Sequence, residues 1–108
     1  MHRDVMAEIK EEVSANPVVL YMKGNRTMPQ CGFSAATVQV LKQIGVDFKD
    51  VDILQDSEKR EAVKVFSDWP TLPQLYIGGE FVGGCDIVRE MHAKGELAPM
   101  LEAAAKAA

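Results

Sequence analysis

The segment Gln74-Leu75-Tyr76-Ile77, Gly78-Gly79, Glu80-Phe81-Val82-Gly83 constrains this chain more than any other. Two short strand-forming runs separated by two glycines make a β-hairpin. A two-residue turn that matches strand twist needs positive φ, which glycine adopts freely. An antiparallel pair must therefore be built into the fold. Upstream, Val18-Val19-Leu20-Tyr21-Met22 is an apolar, partly β-branched run bounded by Pro17 and Gly24. That is the composition of a buried strand. Residues 46–53 alternate loosely and read as a further strand. Between these two lies a helix that begins at Gly32 or Phe33, turns Ala36, Val40, Leu41 and Ile44 to one face, and stops at Gly45. A strand, a helix and a second strand in one sheet require parallel pairing and a right-handed crossover. Both demands are met by an α/β fold: one four-stranded mixed sheet flanked by helices on both faces.

The remaining segments read as helices. Asp4 caps the first, whose stripe is Val5, Met6, Ile9 and Val13, and Asn16-Pro17 ends it. Asp56 or Ser57 starts another, with Ala62, Val63 and Phe66 inward. A helix opens near Cys85-Asp86 and carries Ile87, Val88 and Met91. Gly95 breaks it, and residues 97–105 form the last. At 108 residues, the expectation is a single domain spanning 1–108 with one core. The formal net charge of −4 provides no basic face for nucleic acid, and an anionic membrane would repel it. No run approaches the roughly 18–20 apolar residues of a membrane span. Two cysteines make neither a secreted disulfide scaffold nor, alone, a closed zinc site. The first residues carry Asp4, Glu8, Glu11 and Glu12 and no apolar stretch, unlike a secretory or transit segment. A cytoplasmic protein with free thiols is the expectation.

Cys31 stands directly after a loop and directly before a helix. Unpaired N–H groups and the helix dipole stabilise negative charge there. A thiol so placed ionises more readily than a free cysteine, and the thiolate is the form that attacks disulfides or binds metal. In Cys31-Gly32-Phe33-Ser34, a hydroxyl occupies the place of the second sulfur of a Cys-x-x-Cys motif. Cys31 can form a mixed disulfide or a metal bond, but no disulfide within the motif. Phe33 is expected to be partly exposed beside it. Trp69 is expected to wedge the loop before Pro70 rather than meet a ligand. His2 and His92 have no partner pattern and are expected at the surface.

Four motifs together resemble the monothiol glutaredoxins of the Cys-Gly-Phe-Ser class. They are Lys23, Cys31-Gly32-Phe33-Ser34, Trp69-Pro70-Thr71-Leu72-Pro73-Gln74 and Gly83-Gly84-Cys85-Asp86. The resemblance covers essentially the whole chain and implies a thioredoxin-like fold that binds glutathione. It further implies that Lys23 and Arg60 pair with the glycine carboxylate, and that Leu72 precedes a cis-proline and offers its backbone to the ligand's cysteine. The N–H groups of Cys85 and Asp86 open a helix and can hold the γ-glutamyl carboxylate. The Asp86 side chain could take the ammonium, act as a plain N-cap, or both. One departure stands out. The family's loop usually reads Lys-Gly-Thr-Pro, whereas here it is Lys23-Gly24-Asn25-Arg26, which restores an N–H at position 26.

A [2Fe–2S] cluster takes four thiolates. Cys31 and the thiol of bound glutathione give two, and a symmetric dimer gives four, with one cluster per dimer. Cys31 is then the protein's metal ligand. A lower-ranked count uses Cys31 and Cys85 of each chain, and an alternative for these two is a disulfide in apo protein. The resemblance implies a homodimer when cluster-bound, a monomer when apo, and hand-over of the cluster to iron–sulfur apo-proteins. A second class of function is enzymatic: reduction of glutathione mixed disulfides through Cys31 alone. A third is an adaptor that docks a BolA-type partner.

Overall fold

In a computed structural model, which describes residues 3–107, four strands form one sheet in the order β2-β1-β3-β4. The elements are α1 (Val5–Ala15), β1 (Val18–Met22), α2 (Gly32–Ile44), β2 (Lys49–Asp52), a 3-10 turn (Ile53–Gln55), α3 (Ser57–Ser67), β3 (Gln74–Ile77), β4 (Glu80–Gly83), α4 (Cys85–Ala93) and α5 (Leu97–Ala107). β1 pairs parallel with β2 and antiparallel with β3, and β3 pairs antiparallel with β4. The mixed sheet is as the hairpin and the crossover require. His2 lies outside the described residues, and His92 is half-buried on α4.

β1 is buried along its whole length, and its alternation divides the core into two. Val18, Leu20 and Met22 pack on one face with Leu41, Val88, Leu97 and Leu101 from α2, α4 and α5. Val19 and Tyr21 pack on the other with Ile9, Val13, Ala62 and Val63 from α1 and α3. Side chains of a strand point alternately to opposite faces, so one apolar run serves both layers.

Two sequence expectations are corrected. The second strand is limited to Lys49–Asp52 rather than residues 46–53, because Ile53 turns into the 3-10 segment, where Asp52 Oδ1 accepts the Leu54 N–H at 3.0 Å. Met6 does not join the buried stripe of α1; it is exposed, while Ile9 and Val13 are buried.

α1 and α3 are joined by a polar network that the sequence does not announce. Lys59 sits in the charged run Glu58-Lys59-Arg60-Glu61, yet it is 8% exposed. Its ammonium donates to Glu12 Oε2 at 2.8 Å, and the Tyr21 hydroxyl donates to Glu12 Oε1 at 2.7 Å. Burial, then the Glu12 acceptor, holds the Tyr21 phenol protonated far above its usual range. Arg3 pairs with Asp56 at 2.6 Å, and Asp56 caps α3 by accepting the Lys59 N–H. Arg3, then that N–H, brings the Asp56 carboxyl down to about 2. Removing one partner of a buried pair leaves a charge uncompensated, at a cost of about 3–5 kcal/mol when burial is complete. Glu12 keeps 20% exposure. Glu12→Ala is therefore expected to cost somewhat less, about 2 kcal/mol. Urea unfolding checks this value, and Glu12→Gln should recover part of it through Tyr21.

Candidate functional site

The site lies at one end of the sheet, where β1 leaves at Met22, β3 enters at Gln74 and β4 leaves at Gly83. There a groove of about 510 Å³ is lined by Lys23, Cys31, Arg60, Leu72, Cys85 and Asp86. Those are all six residues singled out from the sequence, brought together from five separate segments. Lys64, Trp69, Pro70, Thr71 and Ile87 line it as well. The volume falls in the range of about 300–1,000 Å³ usual for small-molecule sites.

Cys31 is the N-cap residue of α2, in extended backbone with φ −149° and ψ 138°, and its side chain makes no capping bond. It forms no disulfide, and it is partly exposed. The Ser34 N–H does most to hold the thiol below its ordinary value. Burial opposes this, and the Phe33 N–H, the Lys23 charge and the Ser34 hydroxyl add to it. The helix start thus favours the thiolate as its position in the sequence implies. Ser34 is fully buried, and its oxygen accepts the Lys23 N–H at 3.1 Å. One hydroxyl thereby ties the end of β1 to the first turn of α2 and faces the sulfur.

Residues 23–30 fold back on themselves as a small ladder. The Gln30 N–H donates to the Lys23 carbonyl at 2.9 Å, and Gly24 bridges Pro29. Gly24 has φ +85°, and a Cβ there would lie 2.5 Å from the Met28 carbonyl oxygen. Only glycine fits this crossing. Phe33, 63% exposed, lines the groove with Cys31, and Met28 on the loop is 64% exposed.

The opposite wall comes from α3. Arg60 and Lys64 are four residues apart, so they share one helix face. The Arg60 Nε is buried and has no hydrogen-bond partner among the described residues. An orphaned charged donor at a groove is uncommon and asks for an anionic acceptor. The floor is the Leu72-Pro73 segment, whose peptide bond is cis. Gln74, fully buried, knots this loop: its Nε2 donates to the carbonyls of Trp69 and Thr71 at 3.1 and 3.2 Å.

The far end is the start of α4. Gly84 is the N-cap, with no side-chain capping bond, and Cys85 and Asp86 are the first two helical residues. Asp86 is exposed and is not a cap, which corrects that alternative and leaves its carboxylate free. A Cβ on Gly84 would come within 3.2 Å of the Pro73 carbonyl, so the helix start packs close on the loop below it. Cys85, at 6% exposure, is far less accessible than Cys31. The Trp69 ring lies 6.2 Å from that of Phe81, and the residue also lines the groove. Lys64 was missed in the sequence, although its spacing from Arg60 was visible there.

Cations on one wall, a free helix start and a carboxylate on the other, and a thiolate at the mouth suit an extended ligand with two carboxylates, one ammonium and one sulfur. Among the described residues, no three His, Cys, Asp or Glu side chains gather as a metal set. No described helix is long and apolar enough to cross a membrane.

Comparison with known proteins agrees with this geometry. A family model described as Glutaredoxin matches residues 18–82. A probable monothiol glutaredoxin 2 of Rickettsia conorii is 56% identical over 95 residues, covering 88% of this chain and 89% of that one. The solution structure of reduced poplar apo GrxS14 superposes with a TM-score of 0.80 at 47% identity, covering 91% of this chain and 90% of the other. The crystal structure of a buckwheat glutaredoxin–glutathione complex superposes with a TM-score of 0.83 at 28% identity, covering 94% and 90%.

Proposed function

The chain belongs to the glutaredoxin family, as a monothiol member with the thioredoxin-like fold, and from that premise we propose that it binds glutathione and carries a [2Fe–2S] cluster between proteins. In this reading glutathione lies along the groove with its sulfur beside Cys31. Lys23 and Arg60 take the glycine carboxylate, Leu72 presents its backbone, and the start of α4 at Cys85 and Asp86 receives the γ-glutamyl end. The buckwheat complex is a glutaredoxin with glutathione bound, which supports the ligand.

The cluster is cargo. The donor chemistry fits it on one condition. This chain offers one accessible thiol, so four thiolates need Cys31 and glutathione from each of two copies. We therefore infer a homodimer when loaded and a monomer when apo, acting in cytoplasmic iron–sulfur assembly and iron homeostasis. Iron–sulfur apo-proteins would be recipients and a BolA-type protein an alternative partner across the cluster. A cargo held half by small molecules can be released by ligand exchange.

The observation that carries the proposal is that Arg60, whose buried Nε has no partner among the described residues, lines the same groove as a reachable, easily ionised Cys31. Anaerobic reconstitution with iron, sulfide and glutathione is expected to give a brown dimer by absorbance and size exclusion. Leaving out glutathione and every other small thiol should leave the protein colourless and monomeric. Full assembly without a small thiol would replace this ligand set by one including Cys85. The same thiol also suits reduction of glutathione mixed disulfides through Cys31 alone, a secondary activity in this reading.

A further inference from the structure

Arg26 stands where the resembling family usually carries proline, and it does something a proline ring cannot. Its backbone N–H donates to Asp50 Oδ2 at 2.9 Å and its Nε to Asp50 Oδ1 at 3.1 Å. One terminal nitrogen donates to the Phe48 carbonyl, and the guanidinium lies 4.1 Å from the centre of the Phe48 ring. From the other side, Lys42 on α2 donates to the Arg26 carbonyl at 3.2 Å. A single residue thus joins the loop to β2 and to α2.

The rest of the loop shows why that matters. Asn25 Oδ1 accepts the N–H groups of Thr27 and Met28, which shapes the tip internally but attaches it to nothing else. Asp52 Oδ1 holds Gly24 at the base. Arg26 provides the tie between the tip and β2 among the described residues. The two ends of the loop are Lys23, whose N–H is on Ser34, and Gln30, which precedes Cys31 and bonds back to Lys23. A shift at the tip is passed to both residues that frame the sulfur. The Arg26 and Asp50 side chains keep 34% and 22% exposure, so water screens the pair only in part. Burial alone would push the Asp50 carboxyl up. The Arg26 N–H and guanidinium outweigh it and keep the carboxylate ionised.

We propose that Arg26 is a positioning residue: through Asp50 and Phe48 it fixes loop 23–30 so that Lys23 and the Cys31 sulfur keep the geometry in which Cys31 exchanges with disulfides. The inference concerns the thiol's own reactivity and holds whether or not a cluster is carried.

The test is an exchange equilibrium on the full chain. The Cys31 thiol attacks glutathione disulfide, a new S–S bond joins Cys31 to one glutathione, and the other leaves as thiolate and takes up the proton. Cys31 is oxidised and half of the disulfide is reduced. Intact mass at a series of reduced-to-oxidised glutathione ratios gives the equilibrium constant. Arg26→Ala is expected to lower it about three- to tenfold, within the roughly 2- to 30-fold seen for residues that act on a site through a packed network. Asp50→Asn should lower it less, and Arg26→Lys should recover most of the loss, because it still reaches Asp50. A constant unchanged in a folded Arg26→Ala protein whose melting temperature alone has dropped would overturn the proposal. So would Arg26→Lys behaving no better than alanine. Repeating the series with the uncharged bis(2-hydroxyethyl) disulfide separates the two readings. A wild-type protein that prefers neither disulfide sinks the glutathione groove, while the order of the variants on the neutral probe still decides Arg26.

Discussion

Cys31→Ser is expected to abolish the glutathione adduct and the reconstituted cluster together, while leaving the protein at least as stable as before. The loss is complete because the groove has one accessible sulfur, and Cys85, the first residue of α4, is buried. The stability result follows from the position. Cys31 is an N-cap in extended backbone with no capping bond, and serine is among the best residues for that place. Its hydroxyl can accept from the same first-turn N–H groups, of Phe33 and Ser34, that face the sulfur, and oxygen is the stronger acceptor. A gain of up to about 1 kcal/mol is the upper end of what such a cap delivers. Intact mass after incubation with oxidised glutathione, absorbance after reconstitution, and urea unfolding read the three quantities. Cys85→Ser serves as the control and should keep adduct and colour. A coloured or glutathionylated Cys31→Ser protein would move the chemistry to Cys85.

Arg60→Ala should likewise separate binding from folding. In the free protein the buried Arg60 Nε has no partner, so the side chain carries a desolvation cost that the fold does not offset. Alanine removes that cost, and the melting temperature should hold or rise. A carboxylate bound at the Arg60 guanidinium would make a charge-assisted hydrogen bond, worth about 1.5–3 kcal/mol. Glutathione should then bind roughly 10- to 150-fold more weakly. Titration of the apo protein followed by calorimetry measures this, and Arg60→Lys should restore part of it as a point charge. Unchanged affinity would remove Arg60 from the glutathione site and leave its orphaned nitrogen without explanation.

The parts of this molecule that could be read from its sequence are those governed by local rules. The β1 run, the Gly78-Gly79 turn and the helix that starts behind Cys31 each declare themselves within about ten residues. The thiol's position at a helix start needs no tertiary knowledge. Arg60 taken alone reads as an ordinary exposed helix charge, and only the resemblance drew attention to it. What stayed hidden joins distant segments. Lys59 meets Glu12 across 47 positions and Arg26 meets Asp50 across 24. In both cases a charged residue in a polar stretch reads as solvated until the fold supplies its partner. Trp69 shows the same from another side: one residue serves both loop packing and the groove wall, and composition shows only the first.

The register of the strands carries one more consequence. Val18 faces Ile77 at one extremity of the sheet, and Tyr21 faces Gln74 towards the other. The molecule therefore has a working pole and an idle one. Gly78-Gly79 caps the idle pole, where the Gly78 N–H is fastened to the Pro17 carbonyl at 2.8 Å. A fluorophore, affinity handle or fused polypeptide grafted at that corner would sit a full strand length from the sulfur. It would travel with the protein without shading the face that meets its ligand.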